Sequence, residues 1–493
     1  MDQVAADQPF PDQTAQEQPT GPRPVLVVDL DGTLIGSDML YESFWSAFSR
    51  DWRTPLRAAA GLLHGRAALK ARLAALAVPD LRTLPYRAEV LAEIERWRAA
   101  GGRVALVTAA DQKIAEAIAG HLQLFDEVHG SDGTTNLKGE VKAAFLRERF
   151  GLGGYVYVGD SAADLPVWRD AAAALTVGLA PGLVARVEAI RPEARHIAPP
   201  QPVLPAAIRA MRPHQWAKNA LVFFPMIAAH AFSLTALMQG LLAFVAFSLV
   251  ASSVYLLNDL LDIASDRAHP RKRQRPLASG ALPLRTGMML VPVVLAAGIG
   301  VAALLPLLFV LVLAAYYALT VAYSLWFKRK PILDIAMLAS LYTLRVVAGG
   351  AASGIELSVW LLAFSAFLFF SLAAVKRQAE LVDMRQRGLD EAPGRGYRVD
   401  DLPVVTQMAT TSGFVAVLVL MLYLNEPTTL MLYHHPLLLW AACLVLLYWI
   451  ARMVLVAQRG KMDDDPVVYA MRDRISQMVV AIIALLFVAA KVL

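Results

Sequence analysis

Two hydrophobic rhythms divide the chain. From Val25 to Val28 four apolar residues lead into Asp29-Leu-Asp31-Gly32-Thr33, and the same strand-then-loop pattern returns at Val104 to Thr108 and at Tyr155 to Asp160. Apolar strands that end in polar loops mark a parallel α/β sheet, whose ligands bind beyond the carboxyl ends of the strands. The stretch 38–100 has helix-like periodicity but is too long for a simple crossover, so it reads as an inserted helical cap. A Pro-punctuated linker follows at 198–210. Beyond it, apolar runs centre on about 215–232, 235–257, 285–303, 306–326, 332–352, 357–375, 404–424, 436–456 and 471–492, each near the ~20 residues that cross a bilayer. The expected architecture is therefore two-domain: a tail over 1–22, an α/β domain over 23–197, and an all-α multi-pass membrane bundle of about nine helices over 211–493.

Composition sharpens this division. Of 493 residues, 57% are apolar and only 18% charged, which excludes a purely soluble enzyme. The net charge of +5 does not imply nucleic acid, because the Lys and Arg residues of the second half sit in loops between apolar runs. With the first run entering from the cytoplasm, the loops 267–285, 328–330, 376–398 and 452–474 all fall on the cytoplasmic side, as the positive-inside rule requires. That orientation predicts a protein of the inner (cytoplasmic) membrane with its soluble domain and active sites in the cytoplasm and its carboxyl terminus outside. The single cysteine, Cys443, lies in an apolar run, so no intrachain disulfide or Cys-based metal cluster is expected. Residues 1–21 are rich in Asp, Gln and Pro, which reads as a disordered tail rather than a signal peptide.

Asp29-x-Asp31-Gly-Thr at a strand end suits phosphoryl transfer, where one carboxylate attacks phosphorus, the other moves a proton and Mg²⁺ offsets charge. A calcium loop or a plain turn would also use Asp-x-Asp-Gly. Three further elements argue against those readings: Thr108 ends the second strand, Lys138 lies in Asn136-Leu-Lys-Gly-Glu140, and Gly159-Asp160-Ser-Ala-Ala-Asp164 ends the third. With these motifs, residues 25–175 resemble the Rossmann-like haloacid dehalogenase (HAD) superfamily. The resemblance implies Asp29 as nucleophile, Asp31 as general acid/base, and Thr108 and Lys138 as phosphate holders. Asp29, Asp31, Asp160 and Asp164 become the metal-site residues, and Lys142 is the alternative to Lys138. It leaves the substrate open.

In the membrane part, Asn258-Asp259-Leu-Leu-Asp262-Ile-Ala-Ser-Asp266 is followed by Arg267, Arg271, Lys272, Arg273 and Arg275. On an ideal helix Asp259, Asp262 and Asp266 share a face, and oxygen ligands at a membrane boundary suit Mg²⁺ carrying a diphosphate. The plainer alternative is a solvated loop in which each Asp pairs with a neighbouring Arg. The motif and the span count resemble the UbiA-type intramembrane prenyltransferase superfamily over 210–493. Most members have a second Asp-x-x-x-Asp motif after the sixth span, where this chain reads Lys376-Arg377-Gln-Ala-Glu380-Leu-Val-Asp383. That departure is similar to the branch of polyprenyl-phosphate phosphoribosyltransferases known from decaprenylphosphoryl-ribose synthesis. The stretches around Arg212 to Asn219, Asp266 to Arg275, Tyr323 to Lys328 and Asp334 to Gly350 resemble it too.

That resemblance implies phosphoribosyl diphosphate as donor, polyprenyl phosphate as acceptor and Mg²⁺ as cofactor. Asp259 and Asp262 then carry the reaction with Asp266 as a third ligand. Asn258, Lys218, Lys272, Arg275, Tyr323, Lys328, Arg345, Lys376 and Arg377 are the candidates for holding substrate. Asp334 and Arg345 lie eleven residues apart on one helix face, so Arg345 either holds a phosphate or pairs with Asp334. The whole reads as a bifunctional membrane enzyme whose HAD domain removes the 5-phosphate of the lipid product, with the bilayer as partner and a homo-oligomer allowed. Its rivals are an aromatic prenyltransferase with an unrelated phosphatase, and a transporter or lipid-binding scaffold carrying one.

Overall fold

The protein is described by a computed structural model over residues 23–492, apart from 64, 133, 134, 391–395, 432, 463 and 464. The tail expected over residues 1–22 lies outside the described residues. Along the amino-terminal part the elements are β1 (Val25–Val28), α1 (Met39–Phe48), α2 (Thr54–Leu62), α3 (Arg66–Leu76), α4 (Ala88–Ala99), β2 (Val104–Asp111), α5 (Gln112–Leu122), β3 (Glu127–Ser131), α6 (Glu140–Phe150), β4 (Tyr155–Gly159), α7 (Leu165–Asp170), β5 (Ala173–Val177), α8 (Pro181–Ile190) and β6 (Arg195–Ala198). Then come α9 (Val203–Ala210), α10 (Phe224–Ala228), α11 (Leu234–Leu261), α12 (Ile263–Ala268), α13 (Leu284–Ala302), α14 (Leu307–Leu325), α15 (Leu333–Ser353), α16 (Val359–Gln386), α17 (Leu402–Leu424), α18 (Pro427–Leu430), α19 (Leu437–Gln458), α20 (Pro466–Arg472) and α21 (Arg474–Val492).

The strands form one parallel sheet in the order β3-β2-β1-β4-β5-β6. All four residues of β1 are buried because β1 lies at the sheet centre, where both faces are covered. Val25, Val27, Val107, Tyr155, Tyr157 and Trp168 form the core of one face. Connections reverse direction between β1 and β4, so the ends of these strands open at the topological switch point, where such sheets bind ligands.

The described residues pack as two compact units: 23–40, 60–82 and 86–201 in the first, and 41–59, 83–85 and those from 202 onward in the second. This partition differs from a single cap over 38–100. Helix α4 packs on β2 and β6 and thus belongs to the sheet layer, whereas residues 41–59 pack with the helical bundle. The expected linker is also shorter, since residues 203–210 fold as α9 with Ala206, Ala207 and Ala210 buried.

Eight helices among the described residues are long and apolar enough to cross a membrane: α11, α13 to α17, α19 and α21. The first apolar run is the exception to the expected nine. Pro213 to Phe223 forms a 3₁₀-helix, and Pro225, which lacks an amide hydrogen, sits in the first turn of the short α10 that follows. A tighter helix rises ~2.0 Å per residue, so this pair still covers about 30 Å, close to the hydrocarbon thickness. Its backbone rests against α15 at Gly349, where an added Cβ would lie 2.1 Å from the Val222 carbonyl oxygen. That close approach fixes Lys218 and Asn219 against the bundle interior. Helix α11 packs on α13, α14 and α15, α15 on α16, α16 on α17 and α19, and α19 on α21.

Candidate active sites

The first site is built at the ends of β1 and β4. Asp29 follows β1, Asp160 follows β4, and Asp164 lies in the turn before α7, so that one carboxylate oxygen from each falls within 4.8 Å of the other two. Gly32, at φ +76°, is required here: a Cβ would sit 2.0 Å from an Asp160 carboxylate oxygen. Thr33 Oγ1 donates to Asp160 Oδ1 at 3.4 Å, and Asp164 accepts from the Ser161 amide at 3.1 Å and from the Tyr157 hydroxyl at 2.8 Å. Burial, with Asp29 and Asp164 beside it, pushes the Asp160 carboxyl up to about 8. Three crowded carboxylates cannot all ionise without a counter-charge, and an oxygen-only donor set of this kind fits Mg²⁺.

Of the two lysines offered for the phosphate, the alternative is the one placed at the site. Lys142, not Lys138, reaches Asp29, with Nζ 2.9 Å from Oδ1 and 2.9 Å from the Tyr157 hydroxyl. Gly139 turns the chain at φ +62° just before α6, which places Lys142 on the buried first turn and leaves Lys138 exposed in the loop. Burial lowers the Lys142 ammonium, but Asp29 and Asp164 outweigh it and raise it above its ordinary value. Thr108 is fully buried in β2, its hydroxyl accepting from the Ala110 amide at 3.0 Å. Asp31 stands apart from the metal-type cluster: its Oδ1 accepts from the Met39 amide at 2.8 Å, and burial raises its carboxyl well above the ordinary range. Sequence reasoning missed Lys70, which donates to the Ala109 carbonyl at 2.6 Å and feels both Asp31 and Asp29, and Arg87, which donates to the Gly32 carbonyl at 3.1 Å. Neither belongs to a local motif.

The second site is a set of ion pairs at one end of the bundle. The pairs Lys328–Asp262 at 2.6 Å, Arg271–Asp383 at 3.9 Å and Lys376–Asp465 at 3.8 Å gather four basic loops at this end. The three aspartates do not share one straight helix face. Helix α11 ends at Leu261, Asp262 occupies the junction at φ −98° and ψ 10°, and α12 begins at Ile263. Asp259 and Asp266 therefore turn inward, both buried, and converge on Arg275 Nη1 at 3.2 and 2.6 Å, while Asp262 is more exposed and held by Lys328. Arg212 also pairs with Asp259 and lies over the Tyr255 ring. Burial, offset in part by Arg275, pushes the Asp266 carboxyl up to about 6. Carboxylate oxygens are the ligand type that Mg²⁺ takes; here those of Asp259 and Asp266 are paired with Arg275, and Asp259 with Arg212 as well. Asn258, Lys272 and Tyr323 are half-buried at or near this end.

A second focus was not foreseen. Asp465, buried ahead of α20, pairs with Lys218 and lies 3.8 Å from Lys376. Although burial by itself raises this carboxyl, the two ammonium groups hold it below the ordinary carboxylate range. Lys218 Nζ also stands 5.8 Å over the Tyr342 ring. The signal for Asp465 was the acidic run Asp463-Asp464-Asp465 before Pro466, which local reading passed over as a loop.

Two expected substrate residues are sealed in the interior instead. Arg377 is 0% exposed, pairing with Asp334 and Glu380, and Asp334 also accepts from the Tyr397 hydroxyl at 2.6 Å. Arg345 does not meet Asp334. It donates to Asn219 Oδ1 at 2.9 Å, to the Tyr316 hydroxyl at 2.9 Å and to the Leu341 carbonyl at 2.6 Å. A buried guanidinium needs its donors satisfied: protein partners satisfy those of Arg345, whereas Arg377 relies on its ion pairs and leaves Nε without a hydrogen-bond partner among the described residues.

Comparison with known proteins matches both parts of the chain to families. The UbiA prenyltransferase family matches residues 220–488, and the haloacid dehalogenase-like hydrolase family matches residues 26–169. "Uncharacterized protein y4nM" of Sinorhizobium fredii is 40% identical over 469 residues, covering 94% of this chain and 90% of that protein. "Nodulation protein NoeC" of Azorhizobium caulinodans is 39% identical over 266 residues, 54% of this chain and 86% of that one. "Decaprenyl-phosphate phosphoribosyltransferase" of Corynebacterium glutamicum is 40% identical over 189 residues, covering 37% of this chain and 57% of that protein. With more than half of its length matched, the chain belongs to the UbiA prenyltransferase family and carries a haloacid dehalogenase-like hydrolase domain at its amino-terminal end.

Proposed function

We propose that the bundle transfers a 5-phosphoribosyl group from phosphoribosyl diphosphate to a polyprenyl phosphate, and that the amino-terminal domain then removes the 5-phosphate from the lipid product. The observation that carries this reading is the convergence of Lys218 and Lys376 on Asp465 beside the separate Asp259, Asp266 and Arg275 cluster. A prenyl diphosphate and an aromatic acceptor without phosphate bring one diphosphate to be neutralised. A phosphoribosyl diphosphate and a lipid phosphate bring two further phosphate groups, and a second set of cations answers that need. The relative from Corynebacterium glutamicum, named for the same transfer, supports the reading over the region it matches.

In this scheme Asp259 and Asp266, with Asp262, would hold Mg²⁺ with the donor diphosphate, and the ion supplies charge withdrawal from that leaving group. Arg212 and Arg275 orient the diphosphate oxygens. Lys218, Lys376 and Lys328 receive the remaining phosphates, while Arg345 and Arg377 brace the helices that carry them. The acceptor phosphate oxygen forms its bond to ribose C1 as the bond to diphosphate breaks. No side chain need act as a strong base, because the acceptor is already anionic at neutral pH. The basic loops gathered at one end favour placing both sites on the cytoplasmic side of the inner membrane.

Purified protein incubated with labelled phosphoribosyl diphosphate, polyprenyl phosphate and Mg²⁺ is expected to yield a labelled lipid. Transfer of a prenyl group to 4-hydroxybenzoate at a comparable rate would instead assign an aromatic prenyltransferase, and no transfer of either kind would favour a scaffold or transporter.

For the amino-terminal domain, Asp29 attacks phosphorus, Lys142 holds the phosphoryl oxygens and Asp31 protonates the departing alkoxide. Because burial raises the Asp31 carboxyl well above the ordinary range, its protonated form persists to higher pH than an ordinary carboxyl and is lost as pH rises through that elevated value. Hydrolysis of an alkyl phosphate should therefore decline on the alkaline side. Asp31→Asn should lower kcat for an alkyl phosphate by ~10²-fold and for p-nitrophenyl phosphate far less, since p-nitrophenolate leaves without a proton. Equal losses on the two esters, read from kcat against pH, would remove Asp31 from the acid role.

A further inference from the structure

One part of the chain is explained by neither site. Residues 41–59 lie, by sequence, between the motifs of the phosphatase domain, yet they pack within the membrane unit. Trp45 is buried with Ala206, Ala207 and Ala210 of α9 and with Leu256, Leu260 and Leu261 at the end of α11. Glu42 and Arg267 add a two-pronged ion pair at 2.7 and 2.9 Å, with both side chains buried. The segment is thus anchored at the end of the bundle where α11 leaves its apolar span and the basic loops gather.

From this anchor two short helices turn apolar side chains outward. Beyond α1, Trp52 is 55% exposed and Leu56 69%, while Thr54 on the same turn is buried. On α9, Leu204 is 71% exposed and Ile208 48%, while the alanines opposite them are buried against Trp45. Soluble surfaces rarely turn Trp and several Leu or Ile side chains outward while burying small residues behind them. The exposed polar residues among them are basic: Arg50, Arg53, Arg57 and Arg209 against the one half-buried acid, Asp51, which pairs with Arg57 at 2.8 Å. The Arg53 guanidinium lies 5.5 Å over the Trp52 ring. Outward tryptophan and leucine flanked by arginine, held at the end of a transmembrane helix, is the chemistry of the bilayer interface.

We propose that α2 and α9 dock on the anionic headgroup layer of the bilayer that the bundle crosses, with Trp52, Leu56, Leu204 and Ile208 entering the acyl boundary and the arginines facing lipid phosphates. The inserted segment of the phosphatase sequence is then a membrane-surface element. This proposal does not rest on the choice of donor or acceptor.

The test uses the full chain in nanodiscs of phosphatidylcholine and phosphatidylglycerol, with Cys443→Ala removing the sole cysteine. A fluorescent NBD label is placed in turn at Leu56→Cys, at Leu204→Cys, at Glu148→Cys on α6 as an aqueous reference and at Leu311→Cys on α14 as a bilayer reference. Labels at 56 and 204 should be quenched by a nitroxide at acyl carbon 5 about twofold or more over the label at 148, and shielded from iodide. Replacing phosphatidylglycerol by phosphatidylcholine should weaken that quenching at 56. Labels at 56 and 204 open to iodide like the one at 148 would overturn the proposal. So would shielding from both iodide and nitroxide, which would mean that protein covers the face. The label at 311 reports correct insertion in every preparation.

Discussion

Asp259→Asn should abolish the proposed ribosyl transfer, by ~10³-fold or more, while hydrolysis of a soluble phosphate ester by the same preparation continues at the wild-type rate. The residue is only 3% exposed and accepts from both Arg212 and Arg275. Removing its charge deprives the diphosphate site of a metal-type ligand and leaves two guanidinium groups with one fewer counter-charge. Both arginines then lean on the diphosphate too strongly to release it, so the loss should fall on kcat more than on donor KM. Substitution by Asn keeps the side-chain size, and the phosphatase reading serves as the folding control, because Asp29, Asp160 and Asp164 belong to the other compact unit. Loss of both activities in protein that still elutes as a folded species would contradict two independent sites.

Much of this arrangement was legible because it is written locally. A parallel strand places its next residues at the sheet's carboxyl end, so Asp29 and Asp160 could be assigned to strand ends from apolar runs alone, whereas β2 runs on to Asp111 and holds Thr108 within the strand rather than at its end. The metal-type trio of Asp29, Asp160 and Asp164 needed only that geometry plus the order of the strands. Lys138 and Lys142 could not be separated in this way, since the choice depends on where α6 starts, and a glycine at positive φ sets that start. Likewise the face shared by three aspartates assumed an ideal helix. The junction at Asp262 redirects the chain and turns one shared face into two inward carboxylates and one at the rim.

Long-range pairing was illegible for a different reason. Asp465 meets Lys218 across 247 residues, and no periodicity connects them. The eleven-residue spacing of Asp334 and Arg345 suggested a pair along one helix, but each meets partners on other elements: Arg377 and Tyr397 for the acid, Asn219 and Tyr316 for the base. In an apolar interior a charge is stabilised most by groups that satisfy all its hydrogen bonds, and tertiary packing decides which groups arrive. The first apolar run failed as a simple α-helix for a reason present in the sequence, its prolines at 213 and 225.

Asp29→Asn should stop the proposed pathway at the phosphorylated lipid while leaving ribosyl transfer intact. The side chain sits at the end of β1 with Lys142 at 2.9 Å, in a site whose buried carboxylates and ammonium suit a phosphomonoester, and the proposed product of the bundle carries such a group. Attack by a carboxylate oxygen on phosphorus forms an aspartyl phosphate and releases the ribose hydroxyl with a proton from Asp31; water then cleaves the acyl phosphate to inorganic phosphate. An amide oxygen is too weak a nucleophile to begin this sequence, so hydrolysis should fall by ~10³-fold or more. In the proposed scheme both activities belong to one chain, which raises the effective concentration of each domain for the other's product. In wild-type protein the phosphorylated lipid should therefore be a transient species, and removing its phosphate makes the overall conversion harder to reverse. Mass spectrometry of the lipid extracted after a timed reaction distinguishes the outcomes. Accumulation of polyprenylphosphoryl 5-phosphoribose in Asp29→Asn, with diphosphate released at the wild-type rate, is the expected result. Dephosphorylated lipid forming at the wild-type rate in that variant would assign the amino-terminal domain to a soluble metabolite instead.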